Sequence, residues 1–438
     1  MLSPSPPAAV SARARQKIAW RILPFIFVLY IIAYLDRANV AFVKLSMTTD
    51  LGFSDAVFGF GAGVFFIGYF LLEIPGALII ERWSARRWLA RILVTWGLCT
   101  VLVGFVRTAG QFYAARFLLG AAEAGFFPGI IVYLSHWFCK QDRARATARF
   151  IMAAPVSLVI GSPLSAWILR ANWWDIQGWR WVLVLEGLPA ILFGIVTLFY
   201  LTDRPAQADW LSTEEQEWIT AELESERREK RRSNPRSIWA TLRQRNVILL
   251  ASAGFFANIG GYGFIVWLPT RLKRVSGFSI PFATAASAVP FVMALIFIWV
   301  LGRSSDRTGE RRLHAGLPLM LAGISQALSV LPNQPAWFSL GWMCLTGAAM
   351  FAYIPAFWVL PTLMLGESAA AASVGLINSI GNLGGFVGPS VVGYLSSRQV
   401  PESTGVMFLA VCYWLSAALT LSVRLPHSKV PLLTNELS

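Results

Sequence analysis

Twelve apolar runs, each near the length that carries a helix across a bilayer, constrain this chain more than any other feature of its sequence. They fall near residues 20–42, 56–79, 88–106, 111–137, 146–169 and 180–201, then 247–269, 281–302, 313–331, 337–360, 370–395 and 405–424. Six precede a polar stretch and six follow it. Of the 438 residues only 14% are charged, against roughly 25% in an average soluble domain, so the expected environment is a membrane. In a soluble protein a formal charge of +14 would raise nucleic acid as a partner. Here the basic residues cluster in short segments between the apolar runs, and nucleic acid is excluded on that distribution. Placing both termini in the cytoplasm puts most Lys and Arg on the inner side, as the positive-inside rule requires, and the plasma membrane of a bacterium is the expected location. Residues 1–19 are Pro/Ala-rich and then basic, and the run after them is too long for a removable signal peptide. Cys99, Cys139, Cys344 and Cys412 are scattered without a CxxC pair, which indicates neither a disulfide framework nor a zinc site.

Between the two sets of runs, "TDRPAQADWLSTEEQEWITAELESERREKRRSNPRS" is acidic first and basic later, and Ser212-Thr213 ahead of Glu215-Gln216 reads as a helix start. The division is therefore 1–201, a cytosolic linker with a surface helix over 202–246, and 247–438. The basic end of the linker is expected to lie against the anionic inner leaflet.

The two sets also share a loop. "ALIIERWSARR" (77–87) follows the second run and "GRSSDRTGERR" (302–312) the eighth, and they align without a gap. Glu81 faces Asp306, Arg82 faces Arg307, Arg86 faces Arg311 and Arg87 faces Arg312, a pattern of internal duplication. A chain of six plus six spans with this loop in each half resembles the major facilitator superfamily. The usual Gly-x-x-x-Asp-Arg-x-Gly-x-Arg-Lys/Arg signature is nearly complete at 302–312, while the first copy carries Ala77, Glu81 and Ser84 instead. The fold this implies is an all-α membrane protein of twelve transmembrane helices in two pseudo-symmetric six-helix bundles. Opposite charges in such loops can link neighbouring helix ends and gate the movement of the halves, which makes Glu81, Arg82, Arg86, Asp306, Arg307 and Arg311 candidate gating residues.

Charges inside the apolar runs cost several kcal/mol and mark function. Asp36 and Arg37 lie on the first run, Glu73 on the second, Arg116 and Glu123 on the fourth. Glu123 follows Arg116 by seven residues, on nearly the same helix face about 10 Å deeper. Asp36 and Arg37 are adjacent and point about 100° apart, poorly placed to pair with each other. The expected site is a cavity with two fixed guanidinium groups, which hold a carboxylate bidentately, and two carboxyl groups as proton acceptors. An anion that takes over an arginine leaves an acid unpaired and favours its protonation, which couples proton to anion. Glu73 reads as a structural carboxylate near the inner end. In "GLINSIGNLGGFVGP" (375–389), Asn378, Ser379 and Asn382 are candidates for substrate contact or interhelical hydrogen bonding. Tyr34 and Tyr69, with Trp267 and Trp358, are candidates to line the cavity or to pack.

"YLDRANVAF", "RFLLGAAEAGFFPG", "TDRP" with "WLSTEE", "WLPTRLK", "SDRTGERR" and "NSIGNLGGFVGP" together resemble the anion:cation symporter family within that superfamily, over residues 17 to 424. The resemblance implies proton-driven uptake of an organic anion by a monomer in lipid, powered by the proton gradient with no cofactor. By it, Asp36 and Glu123 are the proton carriers, Arg37 and Arg116 the anion-binding arginines, and Asn378 a substrate contact. Sugar-acid carriers of the family often have a glutamine on the fifth span, where this chain has "FIMAAPVSLVIGSPL". An enzyme is disfavoured because HExxH, GxSxG and GxxxxGK[ST] are all missing, and without a P-loop any pumping must draw on an ion gradient. Efflux or exchange of another small solute by the same fold is the alternative.

Overall fold

The computed structural model describes residues 8–232, 243–364, 367–398 and 400–425. Among them the chain forms seventeen α-helices that make twelve crossings. The first six crossings are α1 (Ala8–Leu51), α2 (Asp55–Arg82), α3 (Ala85–Val103), α4 with α5 (Ala109–Glu123, Phe126–Ser135), α6 with α7 (Lys140–Ile151, Ala153–Ile168) and α8 (Gly178–Tyr200). A connecting helix, α9 (Thr213–Arg232), follows. The second six are α10 (Arg245–Ser276), α11 with α12 (Ile280–Ala286, Ala288–Thr308), α13 (Arg312–Leu328), α14 with α15 (Ala336–Ala352, Ile354–Met364), α16 (Glu367–Ser397) and α17 (Glu402–Leu421).

Nine of the crossings are long and apolar enough to be recognised as spans by length and composition alone. Each of the other three has a local reason to fall short. α3 opens on Arg86 and Arg87 and carries Arg91, α13 has only 17 residues, and the described side chains of α16, from Ser373 onward, are the part richest in Asn and Gly. Packing places them in the bundle all the same: α3 lies along α8, α13 along α17, and α16 between α10 and α2. The fourth and tenth crossings are both broken, at Ala124–Gly125 and at Tyr353, in keeping with duplicated halves. Gly125 turns through the left-handed region at φ 88°, open to glycine without strain.

The repeat loops, which follow α2 and α12, define one face of the molecule, called here the loop face. At the far face the halves are shut. A methyl group on Gly59 would sit 2.5 Å from the Pro389 carbonyl oxygen, and one on Gly393 would sit 2.4 Å from that of Asp55, so α2 and α16 touch backbone to backbone. Lys44 Nζ donates to Asp55 Oδ1 at 2.8 Å and lies 4.2 Å from the Trp267 ring of the other half, while Ser396 donates to the second Asp55 oxygen.

On the loop face α1 runs well past the expected 20–42 and docks the connecting helix. Ser212 and Glu215 form a capping box, with Glu215 N donating to Ser212 Oγ at 3.3 Å and Ser212 N donating to Glu215 Oε2 at 2.9 Å. The same carboxylate receives Lys17 Nζ at 2.8 Å, and Glu226 receives Arg143 at 2.9 Å. Burial alone would push Glu215 up, but the bonds and charge of Lys17 and the bonds of Ser212 outweigh it and hold the carboxyl below the ordinary glutamate range. A depressed acid stabilises the docked state above its unfolded value and loses that stabilisation as pH falls through its folded value. Glu215→Gln is thus expected to speed amide exchange across α9 at pH 7, and the two proteins, compared at the same pH, to exchange alike only once pH falls below the ordinary glutamate range. Equal exchange rates at pH 7 would refute the docking role. The basic segment expected to meet the inner leaflet lies largely outside the described residues.

Candidate functional site

Of the five charges singled out from the sequence, Arg37, Arg116 and Glu73 lie at the boundary between the halves, and the partners of all five differ from those expected. Arg37 on α1 reaches across to α4 and donates through Nε to Glu123 Oε1 at 2.5 Å. Glu123 is the last residue of α4, so the break at Ala124–Gly125 ends the helix where its carboxylate meets the guanidinium. Both groups are buried, and Arg37 Nη2 and Glu123 Oε2 have no partner among the described residues. The Arg37 guanidinium also lies 4.8 Å from the centre of the Tyr69 ring.

Arg116 does not sit over Glu123, as its spacing had suggested. It turns toward α2 instead, where Nη2 donates to the Ala62 carbonyl at 3.2 Å and Nε to that of Gly61 at 3.4 Å, over the Phe65 ring. Glycines allow this. A methyl on Gly120 would meet the Phe65 carbonyl oxygen at 1.9 Å, so α2 and α4 are close enough for a side chain of one to reach the backbone of the other. Asp36 is also turned away from the arginines. Its two oxygens accept from Asn39 Nδ2 at 2.7 Å and from Thr100 on α3.

Arg37 and Arg116 nevertheless share one cavity, enclosed by Tyr34 of α1, Phe66 of α2 and Tyr262 of α10. It is closed down to about 10 Å³, roughly the room of one water. The expected cavity with two guanidinium groups is present, then, while its two acids stand behind the wall and not in it. Tyr34 is a wall residue, and Tyr69 packs on Arg37 from behind.

The asparagine-rich segment of α16 takes the second of its two expected parts, interhelical hydrogen bonding. Asn378 and Ser379 both donate to Glu73 of α2, Ser379 at 2.7 Å, and Asn382 approaches the same carboxylate. In this conformation they bind the halves together and do not line the cavity. Glu73, read from the sequence as a minor structural acid, is the receiving end of that bridge.

The repeat loops are held differently in the two halves. Asp203, in the "TDRP" after α8, accepts from Ser84 Oγ at 2.7 Å and from Arg86 N at 2.9 Å, tying the start of α3 to the end of α8. In the second copy Arg311 bonds within its own loop, to Asp306 at 2.7 Å and Ser305 at 2.9 Å, and Arg307 is exposed. The side chains of Glu81 and Arg82 lie outside the described residues. Sequence reasoning had passed over Asp203, and also Glu186, a lone acid in "VLVLEGLPAIL" that accepts from Ser165 at 2.5 Å with its other oxygen unpartnered. A single carboxylate in an apolar run was the signal for Glu186. Tyr262 carried no signal at all, being one aromatic among many.

Comparison with known proteins places these features. Residues 26–389 match the family model described as Major Facilitator Superfamily. A relative from Agrobacterium vitis named "Putative tartrate transporter" is 42% identical over 415 residues, covering 94% of this chain and 95% of that one. Another, the "Quinolone resistance transporter" of Acinetobacter baumannii, is 36% identical over 407 residues, 92% and 93% of the two chains. Among solved structures, the inward-open conformation of the xylose transporter XylE from E. coli superposes with a TM-score of 0.74 at 13% identity, over 94% of this chain and 97% of that one.

Proposed function

The chain belongs to the major facilitator superfamily, whose members are membrane transporters and not enzymes, and from that premise we propose that it carries a small carboxylate together with a proton by alternating access. One observation carries the reading: two buried guanidinium groups from different helices, Arg37 and Arg116, line a single cavity at the boundary between the halves. Two arginines and two acids, Asp36 and Glu123, sum to zero. A proton added to either acid leaves one positive charge in excess, which suits one negative charge on a solute. Proton and anion then enter and leave together, a monocarboxylate such as nicotinate as a neutral pair and a dicarboxylate such as tartrate with one negative charge left over, and each raises the affinity for the other. Glu123 is the acid in direct contact with an arginine, so an anion drawing Arg37 toward the cavity releases that carboxylate to take the proton.

The Agrobacterium relative, by its name, supports a carboxylate as cargo. In this reading the loop face is cytoplasmic, both termini lie there, and the membrane is the bacterial plasma membrane. The test is uptake of radiolabelled tartrate into proteoliposomes of the purified protein. A gradient of one pH unit, acid outside, is expected to raise accumulation up to about tenfold over the symmetric condition. Tartrate entry indifferent to the gradient would overturn the coupling, and no entry of tartrate, malate or nicotinate would overturn the carboxylate. The name of the Acinetobacter relative supports a second reading, drug efflux. It predicts quinolone loss from loaded vesicles driven by the same gradient, acid outside, with protons entering in exchange.

A further inference from the structure

Near the far face, inside the second half, a larger cavity of about 130 Å³ opens between α10, α13, α16 and α17. Four polar side chains on its wall hold atoms without a hydrogen-bond partner among the described residues: Trp267 Nε1, Thr270 Oγ1, Arg271 Nη1 and both amide atoms of Gln326. Trp267, Arg271 and Gln326 are 4%, 6% and 0% exposed. Buried polar groups are ordinarily paired, and unmet donors clustered on one cavity mark a place where something else supplies the acceptor.

Charge says what kind. Arg271 donates through Nε to Glu402 at 3.0 Å and through Nη2 to Ser329 at 3.0 Å, and Arg274 takes the other oxygen of Glu402 at 2.6 Å. One carboxylate serves two guanidinium groups. Lys44 and Asp55, the charged groups beside them in the other half, neutralise each other. The cluster therefore keeps one positive charge in excess, next to a free guanidinium nitrogen, an indole N–H, a hydroxyl and an amide. A carboxylate, with two oxygens and about four acceptor sites, matches that set, and the cavity has room for one on a small organic frame.

We propose that this cavity is a second anion site, separate from the central one, which takes the carboxylate of a small organic acid at the far face. Its walls belong also to the closure between the halves: Trp267 lies under Lys44, and Ser396 is bonded to Asp55. A carboxylate held by Arg271 and Trp267 shifts the field on Lys44 and so biases that closure. The site stands or falls apart from the central chemistry.

Equilibrium binding of radiolabelled tartrate to the purified full-length protein tests it. Wild type is expected to bind two molecules per chain, and Arg116→Ala to keep one. Adding Gln326→Leu to Arg116→Ala should weaken the remaining binding at least tenfold, with Thr270→Val as an independent second substitution in case the first fails to fold. One molecule bound by wild type and none by Arg116→Ala would overturn the proposal, as would residual binding that both wall substitutions leave unchanged. Acetate and chloride, titrated against the Arg116→Ala protein, separate organic from inorganic anions: acetate competing well ahead of chloride supports the assignment, and equal competition overturns it. Should wild-type vesicles carry no carboxylate while Arg116→Ala binds acetate in a Gln326-dependent way, the transport reading fails and this site remains.

Discussion

Glu123→Gln protein in proteoliposomes should no longer concentrate tartrate when the outside is acid, while exchanging labelled for unlabelled tartrate across the membrane nearly as well as wild type. Glutamine keeps the shape and can still accept from Arg37, so the packing at the end of α4 survives. It removes both a negative charge and a place for a proton, which leaves the cluster permanently one charge positive. The anion can then bind and cross without its proton. Accumulation driven by one pH unit is expected to fall from about tenfold to none. A variant that still fills vesicles above the outside concentration would show that the proton travels elsewhere, with Asp36 and Glu186 next to be tried.

Arg116→Ala should remove binding at the central cavity, weakening tartrate affinity there by about a hundredfold or more, since a buried charged hydrogen-bond partner is worth 2–5 kcal/mol. The Gly61 and Ala62 carbonyls keep their own helical hydrogen bonds, so the fold is expected to survive with a modest loss of melting temperature. Arg116→Lys is the informative companion. Lysine keeps the charge without the planar fork, and only partial recovery is expected. Binding at the central site is read by competition with the Gln326→Leu background, in which the outer cavity is disabled. Unchanged affinity in Arg116→Ala would remove the arginine from the substrate's path.

Much of this was legible without coordinates. A charge inside an apolar run is conspicuous whatever the fold, and Asp36, Arg37, Arg116 and Glu123 announce themselves in that way. The duplicated loop gave the halves, and the halves gave the crossings, including α16, whose asparagines and glycines depress its hydropathy. Partnership was not legible. Arg37 and Glu123 lie 86 residues apart, and nothing in the spacing of either helix says that they meet. The neighbours of Arg116 were not legible because helix periodicity reports which residues share a face, not what that face meets; Gly120 brings α2 so close that backbone carbonyls take the guanidinium ahead of the acid one level below. The same holds for Asn378 and Ser379, polar as substrate contacts must be, and spent here on Glu73.

Between Gly59 and Gly393 the contact of α2 with α16 at the far face is backbone on backbone, and this sets a very fine margin on the cycle. Few side-chain bonds, Ser396 to Asp55 and Ser390 to the Gly59 carbonyl among them, have to be undone before the two ridges lift apart as rigid pieces. The reverse of that ease is sensitivity: with 2.5 Å between a first carbon on Gly59 and the Pro389 oxygen, the smallest possible addition acts as a wedge. A carrier wedged there would rest with its entrance ajar at the far face, and a single methyl group would choose the compartment it serves.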